Sequence, residues 1–107
     1  MASVVTASTL ALRERIQAHR VEFDALLRKY GATHPRLFGS VARGDAGPES
    51  DIDILVDMDP AAGNILMRSS GLLEEVRALI GENVDVFPAQ LLRRPVSQAA
   101  IAEAVAL

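Results

Sequence analysis

Leu12, Ile16, His19, Phe23, Leu26 and Tyr30 fall at alternating steps of four and three along the chain. That spacing marks one face of a helix, and Gly31 is a natural stop for it. Ser8 or Thr9 would cap its start. His34-Pro35 then interrupts the chain, because a residue before proline avoids the helical region. A short strand, Arg36–Phe38, runs from there into Gly39-Ser40. Val41–Arg43 suits a single helical turn, and "GDAGPES" after it reads as a loop. In "DIDILVDM", Ile52, Ile54 and Val56 alternate with Asp51, Asp53 and Leu55, which is the period of a strand with one apolar face. "DPAAGN" is turn chemistry. Leu66, Leu73, Val76 and Ile80 predict a second long helix stopped by Gly81. Gly71 inside it costs about 1 kcal/mol relative to alanine, enough to bend the helix or delay its start. "NVDVF" is a third strand closed by Pro88, and Pro95 opens a last helix through "VSQAAIAEAVA". The order α-β-α-β-α-β-α, with a single turn as its second helix, predicts an α/β domain with helices covering a small sheet.

Composition narrows this picture. A chain of 107 residues, half of them hydrophobic, is expected to form one domain over 1–107, with the first eight residues frayed. The formal net charge of −3 lacks the basic surplus of a domain that grips nucleic acid directly. The absence of cysteine fits a cytoplasmic protein and rules out disulfides and thiolate metal sites. No apolar run approaches the ~20 residues of a membrane span. The opening "MASVVTASTL" has neither the basic nor the apolar segment of a signal peptide.

The chemistry concentrates in the second strand. Asp51 and Asp53 point the same way from it, with Cα atoms about 6–7 Å apart. Like charges that close raise each other's proton affinity and call for a cation. Mg²⁺ is the economical choice, since it takes carboxylate oxygens and keeps water and phosphate as its other ligands. Asp85, flanked by Val84 and Val86, repeats the pattern on the third strand. If the two strands are neighbours, three carboxylates can hold two Mg²⁺ ions for an in-line displacement at phosphorus. Gly39 would let the backbone approach a phosphate, Ser40 would donate a hydroxyl and Arg43 would clamp an oxygen. The loop from Gly44 would yield to a bound nucleotide.

Each signal alone is commonplace. Gly-Ser is an ordinary turn pair, Asp-x-Asp on a strand edge is usually a solvated face, and a lone Asp85 could end a strand. Asp57 and Asp59 read as turn or surface residues. Gly39 and Gly44 have the glycine spacing of a P-loop, but Asp45 and Ala46 stand where Lys and Ser or Thr are required. His19 reads as a core-edge histidine and Tyr30 as core; His34, before the strand, is a remote candidate for the site. Arg13, Arg15, Arg20 and Arg28 read as a solvated helix face or a partner contact, and Arg93-Arg94 either meet a partner or flank the last helix.

In order and spacing, however, "GSVARGDAGPESDIDILV" resembles the signature of the nucleotidyltransferase fold of the DNA polymerase beta superfamily, and most closely its minimal nucleotidyltransferase domains. The resemblance implies a mixed sheet flanked by helices and transfer of a nucleoside monophosphate, usually from ATP. It implies that Gly39, Ser40 and Ser50 serve the nucleotide, that Asp51 and Asp53 bind two metals, and that Asp85 binds the catalytic metal and helps activate the acceptor hydroxyl. Arg43 matches the motif arginine. Many minimal members are antitoxins paired with an all-helical HEPN toxin, a ribonuclease, to which they transfer AMP on a tyrosine. The resemblance thus implies a hetero-oligomer with such a toxin. Two other functions share the same residues: a binding module that neutralises its partner by covering it, and a nucleotidyltransferase for a small molecule such as an antibiotic. Relatives of the latter kind carry an additional helical domain for the acceptor. Protonating the carboxylates below about pH 4–5 should release the metal.

Overall fold

The helical face of the first thirty residues is divided between two helices. In the structure, a computed structural model describing residues 5–91 and 104–107, α1 (Ala7–Ala18) buries Leu12 and Ile16, and α2 (Arg20–Tyr30) buries Phe23 and Leu27. The expected single helix breaks at His19, whose Nδ1 donates to the Arg15 carbonyl at 2.8 Å. A side chain that takes the carbonyl four residues back competes with the backbone ladder. The break re-phases the face, so Leu27 is buried and Leu26 packs only partly. The cap of α1 is Thr6, not Ser8 or Thr9: its hydroxyl accepts the Thr9 N–H at 3.1 Å. Gly31 ends α2 at φ 67, as a helix stop should.

Four strands follow in the order β3-β2-β1-β4: β1 (Ala32–Phe38), β2 (Ile52–Met58), β3 (Val84–Pro88) and β4 (Val105–Ala106). β1 pairs antiparallel with β2 and β4, whereas β2 and β3 are parallel and joined through α4 (Ile65–Ile80). The sheet is therefore mixed, as expected. β1 is longer than Arg36–Phe38 because it runs through His34-Pro35. Its register slips between Thr33 and Arg36, and His34 has a φ of 53°. This irregularity accommodates a proline that cannot donate to the ladder. The expected helix from Pro95 lies outside the described residues as far as 103. Its final part is corrected: Val105 and Ala106 are strand, paired with Leu37 and Arg36.

Ile52, Ile54 and Val56 are fully buried, and Phe23, Leu72, Val76 and Val84 belong to the same core. Each such side chain contributes about 1.5–3 kcal/mol relative to exposure. Leu55 is also buried, so β2 is covered over part of its second face too. α4 starts on schedule, with Asn64 accepting the Met67 N–H at 3.1 Å. Leu66, read as a core position, is 64% exposed, and Leu72 takes the buried face with Val76 and Ile80. Gly71 neither delays nor divides the helix; a Cβ there would lie 2.7 Å from Cε1 of Tyr30. Among the described residues no helix is long and apolar enough to cross a membrane.

Candidate active site

β1 ends at Phe38, directly opposite Asp53 of β2. Gly39 then turns the chain at φ 71° into a short helix, α3 (Gly39–Arg43). A Cβ on Gly39 would stand 2.8 Å from Oδ2 of Asp53. Glycine is needed here twice over, for the left-handed backbone and for the approach to that carboxylate. Arg13 fixes α3 from α1, donating to the Val41 carbonyl at 2.8 and 3.2 Å and to that of Ala42 at 3.1 Å. It is thus no solvated arginine but a cap on carbonyls at the end of α3.

The following loop is held at its start. Thr6 N–H donates to the Gly44 carbonyl at 2.9 Å. The Thr6 hydroxyl donates to the Ala46 carbonyl at 2.6 Å, and the Ala46 N–H donates to the Thr9 hydroxyl at 2.9 Å. The loop is thus tied to the start of α1 at Gly44 and Ala46. Ser50 closes the loop, its hydroxyl accepting the Gly47 N–H at 2.8 Å. Arg15 donates to Asn83 Oδ1 at 2.9 Å, Asn83 Nδ2 donates to the Ser50 carbonyl at 3.2 Å, and the Ile52 N–H donates to the Asn83 carbonyl at 2.7 Å. Arg15 thereby steadies both segments that carry the acidic residues.

Asp53 and Asp85 are register partners across the parallel β2–β3 pair, so their Cα atoms lie about 4.8 Å apart. Asp51 is exposed and stands just ahead of β2 rather than on it. Burial, then Asp85, then Asp51 push the Asp53 carboxyl above its ordinary value. Three carboxylates therefore share one field, with Asp53 at its centre. They are not gathered into a closed cage: among the described residues, no cluster of three or more His, Cys, Asp or Glu is arranged to grip an ion.

Charge compensation separates these acids. Asp57, four residues further along β2 and on the same face, is paired with Arg36 at 2.8 Å and has the His34 imidazole at 3.3 Å. That places His34 with Asp57 and not with the acidic group at 53. Asp85 is paired with Arg77 at 2.5 Å. Among the described residues no cationic side chain makes an ion pair with Asp53. A half-buried carboxylate facing two others without a partner fits a hard cation with oxygen ligands.

The remaining predicted residues lie around this centre. The Ser40 carbonyl accepts the N–H groups of Gly44 and Asp45 at 2.9 and 3.1 Å, which sets the turn after α3. Arg43 is exposed, and its Nε donates to Asp45 at 3.3 Å. Arg13, Arg15, Thr6, Thr9, Arg77 and Asn83 were not legible as parts of the site. Their contacts join residues distant in sequence, and only Arg77, in the last turn of the helix that leads to Asp85, carried a local hint.

Residues 23–106 match the family model "Nucleotidyltransferase domain". The chain belongs to this family. It is 32% identical over 90 residues to the protein adenylyltransferase MntA of Thermococcus cleftensis, an alignment covering 84% of this chain and 86% of the relative. It is 30% identical over 92 residues to a candidate protein adenylyltransferase of Methanocaldococcus jannaschii, covering 86% and 89% respectively. A solved structure of a candidate minimal nucleotidyltransferase superposes with a TM-score of 0.72 at 33% identity, over 88% of this chain and 94% of that one. The nucleotidyltransferase fold and membership among the minimal nucleotidyltransferases stand on these likenesses, and the domain is an enzyme of that class.

Proposed function

We propose that this domain transfers AMP from ATP to a hydroxyl on a partner protein, a tyrosine of a HEPN-family toxin, and so acts as its antitoxin. The observation that carries the reading is Asp53: half-buried, set between two other carboxylates, without a cationic partner among the described residues, and touching the place where Gly39 lacks a side chain. The relatives named as protein adenylyltransferases support a protein acceptor.

In this reading Asp51 and Asp53 would hold divalent ions, with Asp85 as a third oxygen donor, and Mg²⁺ would suit their hard carboxylate oxygens. When bound, such ions supply positive charge to the phosphate oxygens and to the leaving group. The chain's own residues do the rest. Gly39 keeps the space beside Asp53 clear for phosphate. The Ser40 hydroxyl donates to a phosphate oxygen, and Arg43 offers a guanidinium to the same group. Ser50 shapes the loop ahead of Asp51 through its bond from Gly47. Asp85 accepts the proton of the acceptor hydroxyl. The acceptor oxygen bonds to the α-phosphorus as the bond to the β-phosphate bridge breaks, and pyrophosphate leaves. AMP on the partner adds negative charge at a site that would otherwise receive RNA.

Incubation with α-labelled ATP, Mg²⁺ and the protein encoded next to this one should move label onto that protein, and Asp53→Asn should abolish it. Label appearing equally with Asp53→Asn would refute the assignment. If Asp51→Ala with Asp53→Ala fails to transfer AMP yet still neutralises the partner, binding and not transfer is the protective act.

A further inference from the structure

Among the described residues β3 is an edge strand, and Arg77 in the last turn of α4 bonds to it. Arg77 of that turn uses one edge of its guanidinium for two bonds. Its Nε donates to the main-chain carbonyl of Val84 at 2.8 Å, and its Nη2 donates to Asp85 Oδ1 at 2.5 Å. The first bond anchors the guanidinium to the backbone beside Asp85. The planar fork then fixes where Nη2 stands, and with it one oxygen of the carboxylate. The second oxygen receives no bond from any described residue and keeps its lone pairs for a cation or a proton. The same contact satisfies a carbonyl on the side of β3 that faces away from β2, which also discourages pairing with another chain.

We infer that Arg77 is a positioning residue for nucleotidyl transfer: it holds Asp85 in the register opposite Asp53 so that the free oxygen of Asp85 faces the reacting groups. This rests on the reading of Asp85 given above. It makes an unusual prediction, because Arg77 is also a positive charge beside a cation site. Removing it should relax the repulsion on an incoming ion while letting Asp85 rotate away. Turnover should then fall while Mn²⁺ affinity falls no further than when Asp85 itself is replaced, which loss of a purely structural contact would not produce.

The test uses Arg77→Met, which keeps the length of the stem, alongside Arg77→Lys and Asp85→Asn. Mn²⁺ affinity is read by water-proton relaxation on the full-length protein, and kcat and KM for ATP are read with the partner as acceptor. Arg77→Met should lower kcat at least tenfold with KM for ATP within about threefold, and lose no more Mn²⁺ affinity than Asp85→Asn does. Arg77→Lys should recover only part of kcat, since an ammonium lacks the two-pronged edge. A kcat for Arg77→Met within twofold of the parent, with Asp85→Asn inactive, overturns the positioning role and leaves the reading of Asp85 standing. A fall in Mn²⁺ affinity larger than that of Asp85→Asn also overturns it, because the arginine is then holding more of the site than Asp85. Full activity of Asp85→Asn removes the reading of Asp85 itself, and the role of Arg77 with it.

Discussion

At the scale of single residues, the acidic centre trades stability for chemistry. Asp53 is raised above its ordinary carboxyl value by burial, Asp85 and Asp51. A carboxyl whose folded value exceeds its unfolded one favours the protonated state, so the folded protein binds more protons than the unfolded chain between the two values. Metal-free stability contributed by this group is therefore present at low pH and lost as pH rises through the raised value. Asp53→Asn should increase the Tm of the metal-free protein at pH 7 and flatten this part of its pH dependence; a lower Tm for the variant would contradict the account. Gly39→Ala should act the other way. Left-handed backbone costs a side chain about 1–2 kcal/mol, and the new Cβ would meet Asp53 Oδ2 at 2.8 Å. We expect a loss of that size in denaturant melts, and transfer reduced by about 10²-fold, as misplacement at a reacting centre can cost. Parent-like turnover in Gly39→Ala would show that the space beside Asp53 is not used.

At the scale of elements, α2 and α4 are fitted to one another through Gly71. The ring of Tyr30 lies where a Cβ at 71 would go, and its hydroxyl donates to Glu75, which also takes Lys29 at 3.0 Å. Alanine would gain about 1 kcal/mol of helix propensity, but overpacking costs about 1–3 kcal/mol. The clash should win, so Gly71→Ala should lower stability by about 1 kcal/mol in urea unfolding; a rise would mean that the ring moves aside freely. Such pairings explain what the sequence left hidden. β2 and β3 were legible because alternation is local, whereas their pairing was left open by the sequence, and the register that sets Asp85 opposite Asp53 is a finding of the structure. Gly31 and Gly81 marked helix ends for equally local reasons. The break at His19 was not legible, because it depends on whether an imidazole bonds its own helix. Nor was β4, a two-residue strand that exists only by pairing with β1. Arg13 and Arg15 looked like surface charges, since nothing near them in sequence reveals Val41 or Asn83.

At the scale of the molecule, the strands deliver two carboxylates side by side, the β1–α3 turn leaves a space against one of them, and a helix from behind ties down the other. α1 is sewn by Thr6, Thr9 and Arg13 to the loop and the short helix that border this centre. Loosening that seam should therefore damage the site more than the core. Thr9→Val deletes the acceptor for the buried Ala46 N–H, at about 1–3 kcal/mol for an unsatisfied group, and should raise KM for ATP while far-ultraviolet dichroism stays unchanged. An unaltered KM would separate the loop from nucleotide binding. The central claim is transfer of a nucleotide by the carboxylates of β2 and β3. It is tested most directly by following α-labelled and γ-labelled ATP in parallel reactions with Mg²⁺ and the neighbouring protein, using the parent and Asp53→Asn. The account predicts stable label on the partner from the α-phosphate alone, with pyrophosphate released one for one, and none with the variant. Label from the γ-phosphate, or equal labelling by Asp53→Asn, would contradict it.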